Sequence, residues 1–274
     1  MSLRQIIVLA TCIAAGPNFN EMAQAAGKLW FGCSIDTGAN AYQDETYMNI
    51  FNQGSIFGQT TPGNTMKWQF TEPENGQFDF REGQKTIDLA QKSDKNVRCH
   101  NLVWTEQLPD WVSGGNWTKD TLLKAMKTHI MKEINNYGSD CYSWDVVNKA
   151  VNYDGSYTDN IFLQTIGEDY VPYAFQYAHE AVQASGADIK LFYNDYQLSM
   201  PGDKVNTVVK KLIPAIQSAG DYIDGIGLES HHTTSYYPTA DQLKSVMSPA
   251  PTPRARTRPR PTRPRPSITP SRPA

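Results

Sequence analysis

Residues 143–151 read SWDVVNKAV, a stretch in which a short apolar strand leads directly into two polar residues. The strand runs from Trp144 to Val147, and it delivers Asn148 and Lys149 to its carboxyl end. In barrels and open α/β sheets, the carboxyl ends of parallel strands are where the chemistry is placed. The stretch therefore predicts a buried strand that ends in a functional cleft.

On both sides of this stretch, short apolar strands alternate with helical patterns. The alternation predicts an α/β fold with a parallel sheet buried on both faces. About six strand–helix units precede the point where the pattern stops, whereas a closed (β/α)8 barrel needs eight. The predicted strands cover residues 29–35, 55–60, 97–103, 143–147, 190–194 and 225–230. The predicted helices cover residues 18–26, 44–52, 81–93, 119–137, 162–184 and 204–218.

Polar residues cluster where the predicted strands end. Any one of them could serve only to satisfy loop backbone, but five successive strand ends with such residues favour one shared cleft. The residues are Thr60 to Lys67, His100, Trp104, Asn148, Lys149, Asn194, Asp195, Tyr196, Glu229, His231 and His232.

The two ends of the chain differ from residues 16–247, which form the predicted folded domain. Residues 1–15 join a basic start to a short apolar run, the pattern of a secretory signal too short to span a bilayer; a first buried helix is the alternative. Residues 248–274 are rich in Pro and Arg and predict a disordered tail. This tail holds seven arginines and no acid, so the net charge of −3 leaves the rest of the chain strongly acidic. We therefore expect no nucleic-acid partner, and no other segment is apolar enough for a membrane span.

Four cysteines are present, and Cys12 would leave with the signal. Cys33, Cys99 and Cys141 would remain, so at least one stays free or pairs between chains, and the pairing is open. Their spacing matches no metal site, and we expect no metal or cofactor. Residues 116–118 (Asn-Trp-Thr) match an N-glycosylation acceptor, in keeping with secretion.

Several segments together resemble glycoside hydrolase family 10, the barrel-fold endo-β-1,4-xylanases. They occur in family order and spacing, and the resemblance covers roughly residues 18–247. The segments are TTPGNTMKWQFTEPENGQFDF (60–80), VRCHNLVWTEQLPDWV (97–112), SWDVVNKAV (143–151), KLFYNDYQL (190–198) and DGIGLESHH (224–232). The resemblance implies a TIM (β/α)8 barrel, incomplete here, and the signal pattern at residues 1–15 predicts a secreted, extracellular protein. The resemblance also implies retaining hydrolysis of xylan, with xylan or xylo-oligosaccharide as the partner; the oligomeric state stays open.

The resemblance implies a set of substrate-binding residues and a reaction. In retaining hydrolysis one carboxylic acid protonates the leaving oxygen, and a second carboxylate about 5 Å away attacks the sugar. The implied substrate-binding residues are Asn64, Lys67, Trp68, His100, Trp104, Asn148, Tyr196 and His231.

The chain departs from the family at the chemistry itself. Lys149 stands at the general acid/base position, where the resemblance expects Glu, and a lysine side chain is cationic at neutral pH. Gly63, Thr105 and Glu229 stand where Glu, His and Gln are usual. Since Lys149 and Glu229 both follow strands that face one cleft, we expect them to form an ion pair.

The family's nucleophile lies on a seventh strand, and the sequence after Met247 contains neither a strand pattern nor Glu. Without strands seven and eight, the first and sixth strands would have unpaired edges. Three interpretations of the tail stay open. It could be a linker to a lost binding module, a basic arm that binds acidic polysaccharide, or the product of GC-rich DNA translated in the wrong reading frame. The sequence thus predicts a xylanase relative that is inactive as written. The alternatives are a non-catalytic protein that binds xylan or an inhibitor, and a non-functional product of a damaged gene.

Overall fold

Six parallel strands lie side by side in chain order in the computed structural model, which describes residues 18–37 and 40–248. They form a half-barrel, so the predicted α/β barrel architecture with six strand–helix units is confirmed. The expected signal at residues 1–15 and all but the first residue of the expected tail lie outside the described residues. The strands are β1 (Gly32–Ile35), β2 (Gln59–Pro62), β3 (Asn96–Trp104), β4 (Cys141–Asn148), β5 (Lys190–Asp195) and β6 (Gly225–Leu228).

The centre of the sheet is built from β3 and β4, the two longest strands. Seven of the eight residues of β4 are buried, as expected for a parallel strand covered on both faces. A disulfide between Cys99 and Cys141 joins these strands, and Cys33 is free. Within the described residues β1 pairs only with β2, and β6 only with β5, so these two are the outer strands of the sheet.

Helices connect successive strands and pack against the sheet. Thr118 starts the longest of them, because its hydroxyl accepts the Thr121 N–H at 3.3 Å in a capping box. The helices are α1 (Phe19–Ala25), α2 (Glu45–Phe51), α3 (Trp68–Thr71), α4 (Arg81–Lys92), α5 (Asp110–Ser113), α6 (Lys119–Tyr137), α7 (Ile161–Ile166), α8 (Tyr170–Ser185), α9 (Asp203–Thr207), α10 (Ile213–Gly220) and α11 (Ala240–Met247). A π-helical turn, Val208–Leu212, joins α9 to α10.

Two sequence predictions of element position were wrong. The second strand lies at Gln59–Pro62, instead of residues 55–60. The helix predicted over residues 162–184 is two helices, α7 and α8, because Gly167 between them adopts a φ of 87° that ends a right-handed helix. Gly167 is visible in the sequence as a helix-ending signal, but the prediction treated the apolar residues on both sides as one helix.

Candidate active site

Three polar side chains meet at the carboxyl ends of β4, β5 and β6. Asn148 ends β4, Asn194 lies level with it in β5, and Glu229 follows β6 directly. The amide of Asn194 donates to Oδ1 of Asn148 at 2.9 Å and to Oε1 of Glu229 at 3.1 Å. The parallel register therefore brings side chains from three separate segments into one polar cluster.

Lys149 follows Asn148 in the left-handed backbone region, with a φ of 57°. Its N–H donates to the Asn194 carbonyl at 2.9 Å, which holds this turn against β5. The left-handed conformation costs a non-glycine residue roughly 1–2 kcal/mol, and such strain is concentrated at functional sites. The ammonium of Lys149 lies 3.4 Å from Oε2 of Glu229, so the expected ion pair is confirmed.

Two lysines approach the ring of Trp104, the last residue of β3. Nζ of Lys67 lies 4.8 Å from the ring centroid and Nζ of Lys149 lies 4.9 Å from it. Both distances suit a cation–π contact. Burial, together with the charge of Lys149, lowers the pKa of Lys67. The candidate site thus holds two cations against one indole.

Side chains from two loops hold Lys67 in place. Its ammonium donates to Oδ1 of Asn64 at 2.8 Å and to Oε1 of Gln107 at 2.5 Å. The Asn64 amide donates in turn to Oδ2 of Asp36 at 2.5 Å. Sequence reasoning missed both residues: Asp36 lies outside the segments that carry the resemblance, and Gln107 lies within residues 97–112 but was not singled out there.

A buried carboxylate in β4 orients His100. Nδ1 of His100 lies 2.8 Å from Oδ2 of Asp145, and Arg98 donates to Oδ1 of the same carboxylate at 2.7 Å. Burial opposes ionisation of Asp145, but the hydrogen bond from His100 and the charge of Arg98 outweigh it, so its pKa is lowered. Arg98 also donates to Oδ1 of Asn194 at 2.8 Å, which connects this network to the strand-end cluster. The sequence signal for Asp145 as a site residue was its position as an acidic residue within an otherwise apolar strand.

Trp68 lies beneath the cleft, in the core, with 2% of its surface exposed. Its ring stacks on His129 with a centroid separation of 3.9 Å, and its N–H donates to Oε2 of Glu72 at 3.0 Å. Glu133 is also buried here, and burial, with the nearby charge of Glu72, raises its pKa to about 8. Burial lowers the pKa of His129. Because α3 begins at Trp68, this buried cluster anchors the turn that carries Lys67.

A second buried pair supports the other side of Lys149. Nζ of Lys204 lies 2.8 Å from Oδ1 of Asp195 and 3.2 Å from the ring centroid of Tyr196. The hydroxyl of Tyr193 donates to Oδ2 of Asp195 at 2.5 Å and accepts the N–H of Ala150 at 3.2 Å. Burial raises the pKa of Asp195 and lowers that of Lys204. Since Ala150 follows Lys149, the network also fixes the turn that presents the lysine.

The structure connects most of the predicted substrate-binding residues to Lys149. The contacts described above link it, directly or through neighbours, to Asn64, Lys67, His100, Trp104 and Asn148. Its Nζ also lies 5.9 Å from the ring centroid of Tyr196. His231 lies at the rim, with its side chain 85% exposed and Nε2 at 3.9 Å from Oε2 of Glu229. Trp68 does not line the opening.

No group of three or more His, Cys, Asp or Glu side chains that could hold a metal occurs within residues 18–37 and 40–248. None of the helices in that part of the chain is long and apolar enough to cross a membrane.

A half-barrel of parallel strands with a polar cleft at the strand ends places the chain in the TIM-barrel class. Residues 18–251 match the model of glycosyl hydrolase family 10. The chain belongs to glycosyl hydrolase family 10.

Curated relatives and solved structures agree with this assignment. The chain is 41% identical over 243 residues to endo-1,4-beta-xylanase D of Talaromyces funiculosus, and the match covers 89% of this chain and 58% of the relative. It is 41% identical to endo-1,4-beta-xylanase 1 of Humicola insolens, covering 88% of this chain and 56% of the relative. The chain thus spans little more than half the length of these curated relatives.

Among solved structures, the family 10 xylanase of Bispora sp. MEY-1 with xylobiose superposes with a TM-score of 0.81 at 42% identity. The match covers 84% of this chain and 70% of that one. The Penicillium canescens endo-1,4-beta-xylanase superposes with a TM-score of 0.80 at 40% identity, covering 84% and 68% of the two chains.

Proposed function

We propose that this chain carries the substrate cleft of a secreted, extracellular endo-1,4-β-xylanase, and that as written it binds xylo-oligosaccharides without hydrolysing them. The observation that carries the proposal is the position of Lys149. It follows the end of β4, at the acid/base position of the family, with its ammonium 3.4 Å from Glu229. Support for the ligand comes from the relatives, which are xylanases, one of them solved with xylobiose.

Lysine at this position opposes the chemistry in two ways. Retaining hydrolysis needs a carboxylic acid to protonate the leaving oxygen, and a lysine ammonium is a far weaker acid than a carboxylic acid. The transition state also develops positive charge on the sugar. A cation ~5 Å from that charge raises its energy on the order of 3 kcal/mol at an effective dielectric near ~20.

A carboxylate nucleophile is the second requirement of retaining hydrolysis. Residues 248–274 contain no Asp or Glu. Glu229, the carboxylate nearest to Lys149, lies at the end of β6 and is engaged in the ion pair and with Asn194. The proposed outcome is a cleft that retains binding groups and lacks turnover.

Binding would use the hydrogen-bond donors that the cleft retains. Nδ2 of Asn148 and Nε1 of Trp104 are buried donors without a partner among the described residues. Both atoms are closed to solvent in this conformation, so a sugar hydroxyl would accept from them only after a neighbouring side chain moved aside. Lys67, Asn64 and His100 add further polar groups, and Trp68 supports them from below.

Secretion is the proposed destination. Disulfides form and persist in oxidising compartments, and Cys99 and Cys141 are bonded. The basic and apolar start of the sequence supports the same route.

Calorimetric titration with xylotetraose tests the proposed binding. We expect saturable binding that weakens about tenfold or more in Lys67→Gln, because a hydrogen bond to a charged group contributes about 1.5–3 kcal/mol. Lys119→Gln, an exposed lysine at the start of α6, is the matched control and should bind as the unchanged chain does. A folded chain that shows no binding would overturn the proposal and favour a product without function.

A further inference from the structure

A single N-glycosylation acceptor occurs in the 274-residue sequence, at residues 116–118. The acceptor consists of Asn, any residue except Pro, and Ser or Thr. No other Asn in the chain has Ser or Thr two places later. The cleft does not use this motif, so its role is a separate question.

Asn116 is exposed in an irregular segment between α5 and α6. Its side-chain amide makes no hydrogen bond within residues 18–37 and 40–248. Neither a secondary-structure ladder nor a side-chain partner would be lost if this nitrogen were modified. An exposed loop is also where a bulky oligosaccharide can be accommodated.

The chain around Asn116 is shaped so that the neighbouring tryptophan turns inward. Nε1 of Trp117 donates to the carbonyl of Val112 at 2.8 Å, and its ring meets Trp111 edge-on with a centroid distance of 6.1 Å. The chain can bring Trp117 back towards Trp111 because residue 115 is Gly. A Cβ at this position would lie 2.7 Å from the Trp111 carbonyl oxygen. With Trp117 packed beneath the loop, Asn116 remains at its exposed surface.

Thr118, the third residue of the acceptor, has a structural role of its own. It has an extended backbone (φ −93°, ψ 163°), and its hydroxyl accepts the N–H of Thr121 at 3.3 Å as the N-cap of α6. In the folded chain this hydroxyl is therefore occupied. A transfer reaction that needs the acceptor hydroxyl free must act before the first turn of α6 forms.

We propose that Asn116 carries an N-linked glycan, which is added before α6 folds. Nδ2 of Asn116 attacks C1 of the first sugar of a lipid diphosphate-linked oligosaccharide. The new C1–N bond replaces the C1–O bond, the lipid diphosphate leaves with the bonding electrons, and the amide loses one proton. The step needs passage through the secretory route and is independent of any ligand in the cleft.

Translation of the full chain with endoplasmic-reticulum microsomes tests this inference. We expect a mobility shift of one core oligosaccharide, which N-glycosidase digestion removes and which Asn116→Gln abolishes. Thr118→Ser, which preserves both acceptor and cap hydroxyl, should retain the shift. Thr118→Val should lose it.

Gln77→Thr supplies the positive control, because it completes an acceptor at the exposed Asn75. This variant should carry two glycans. One glycan on Gln77→Thr and none on the unchanged chain would overturn the proposal. Absence of glycan from both chains would overturn it as well, since the secretory route is part of it. Neither result bears on xylotetraose binding.

Discussion

The ammonium of Lys149 and the carboxylate of Glu229 lie 3.4 Å apart, across the ends of β4 and β6. The lysine side chain is 28% exposed and the glutamate side chain 12% exposed. The ion pair is therefore neither fully exposed to solvent nor fully buried. Each charge therefore compensates the other at a position where a lone charge would be costly.

A double-mutant cycle measures this relationship. We expect Lys149→Met and Glu229→Gln to show a coupling of about 1 kcal/mol in the free energy of unfolding, at the upper end for exposed pairs. Gln at 229 can still accept from Asn194, so the cycle isolates the charge pair. Urea unfolding of the four proteins is the measurement, and a coupling near zero would mean that the pair is incidental.

The pair of Lys204 with Asp195 predicts a much larger effect on stability. Its side chains are 3% and 0% exposed, and removal of one partner from a buried pair costs about 3–5 kcal/mol. Lys204→Met should therefore lower the free energy of unfolding by that amount, and addition of Asp195→Asn should restore a large part of it.

Lys211→Met is the matched control for Lys204→Met. The Lys211 pair with Glu168 has the same 2.8 Å separation, but its side chains are 57% and 47% exposed. The expected cost is at most about 1 kcal/mol. Equal losses in the two lysine variants would contradict the role assigned to the buried pair.

Glu133 predicts an unusual dependence of stability on pH. In the unfolded chain a glutamate has a pKa of ~4.3, whereas burial raises the pKa of the folded Glu133 carboxyl to about 8. The folded state binds more protons between these values, so the contribution of Glu133 to the free energy of unfolding falls as pH rises to about 8 and is constant above.

Comparison with Glu133→Gln isolates this contribution from that of His129, whose lowered pKa acts in the opposite sense below neutrality. We expect the variant to be more stable than the unchanged chain at pH 8, on the order of a few kcal/mol. The advantage should shrink as pH falls toward 5. Chemical denaturation at pH 5, 7 and 8 gives the difference, and a constant difference would contradict the assignment.

Sequence reasoning located the strand ends and the ion pair, because the residues after a parallel strand must share one edge of the sheet. It could not locate Asp36 and Gln107, since their positions beside Asn64 and Lys67 depend on loop paths; Gln107 adopts the left-handed backbone region, with a φ of 52°. The sequence also could not predict the burial of Trp68, because its stacking partner His129 lies far along the chain, on α6. Local patterns report which residues end a strand, and tertiary packing decides which of them reach the cleft.

Release of reducing sugar from xylan is the most direct test of the proposal that Lys149 stands where the reaction needs a carboxylic acid and that the cleft lacks a nucleophile. The account predicts no release above background for the chain as written, and none for Lys149→Glu, because the acid alone cannot form the covalent intermediate. Xylotetraose binding under the same conditions serves as the control for a folded cleft. Activity of the unchanged chain comparable to that of an intact xylanase would contradict the account, and turnover by Lys149→Glu alone would identify Glu229 as a nucleophile.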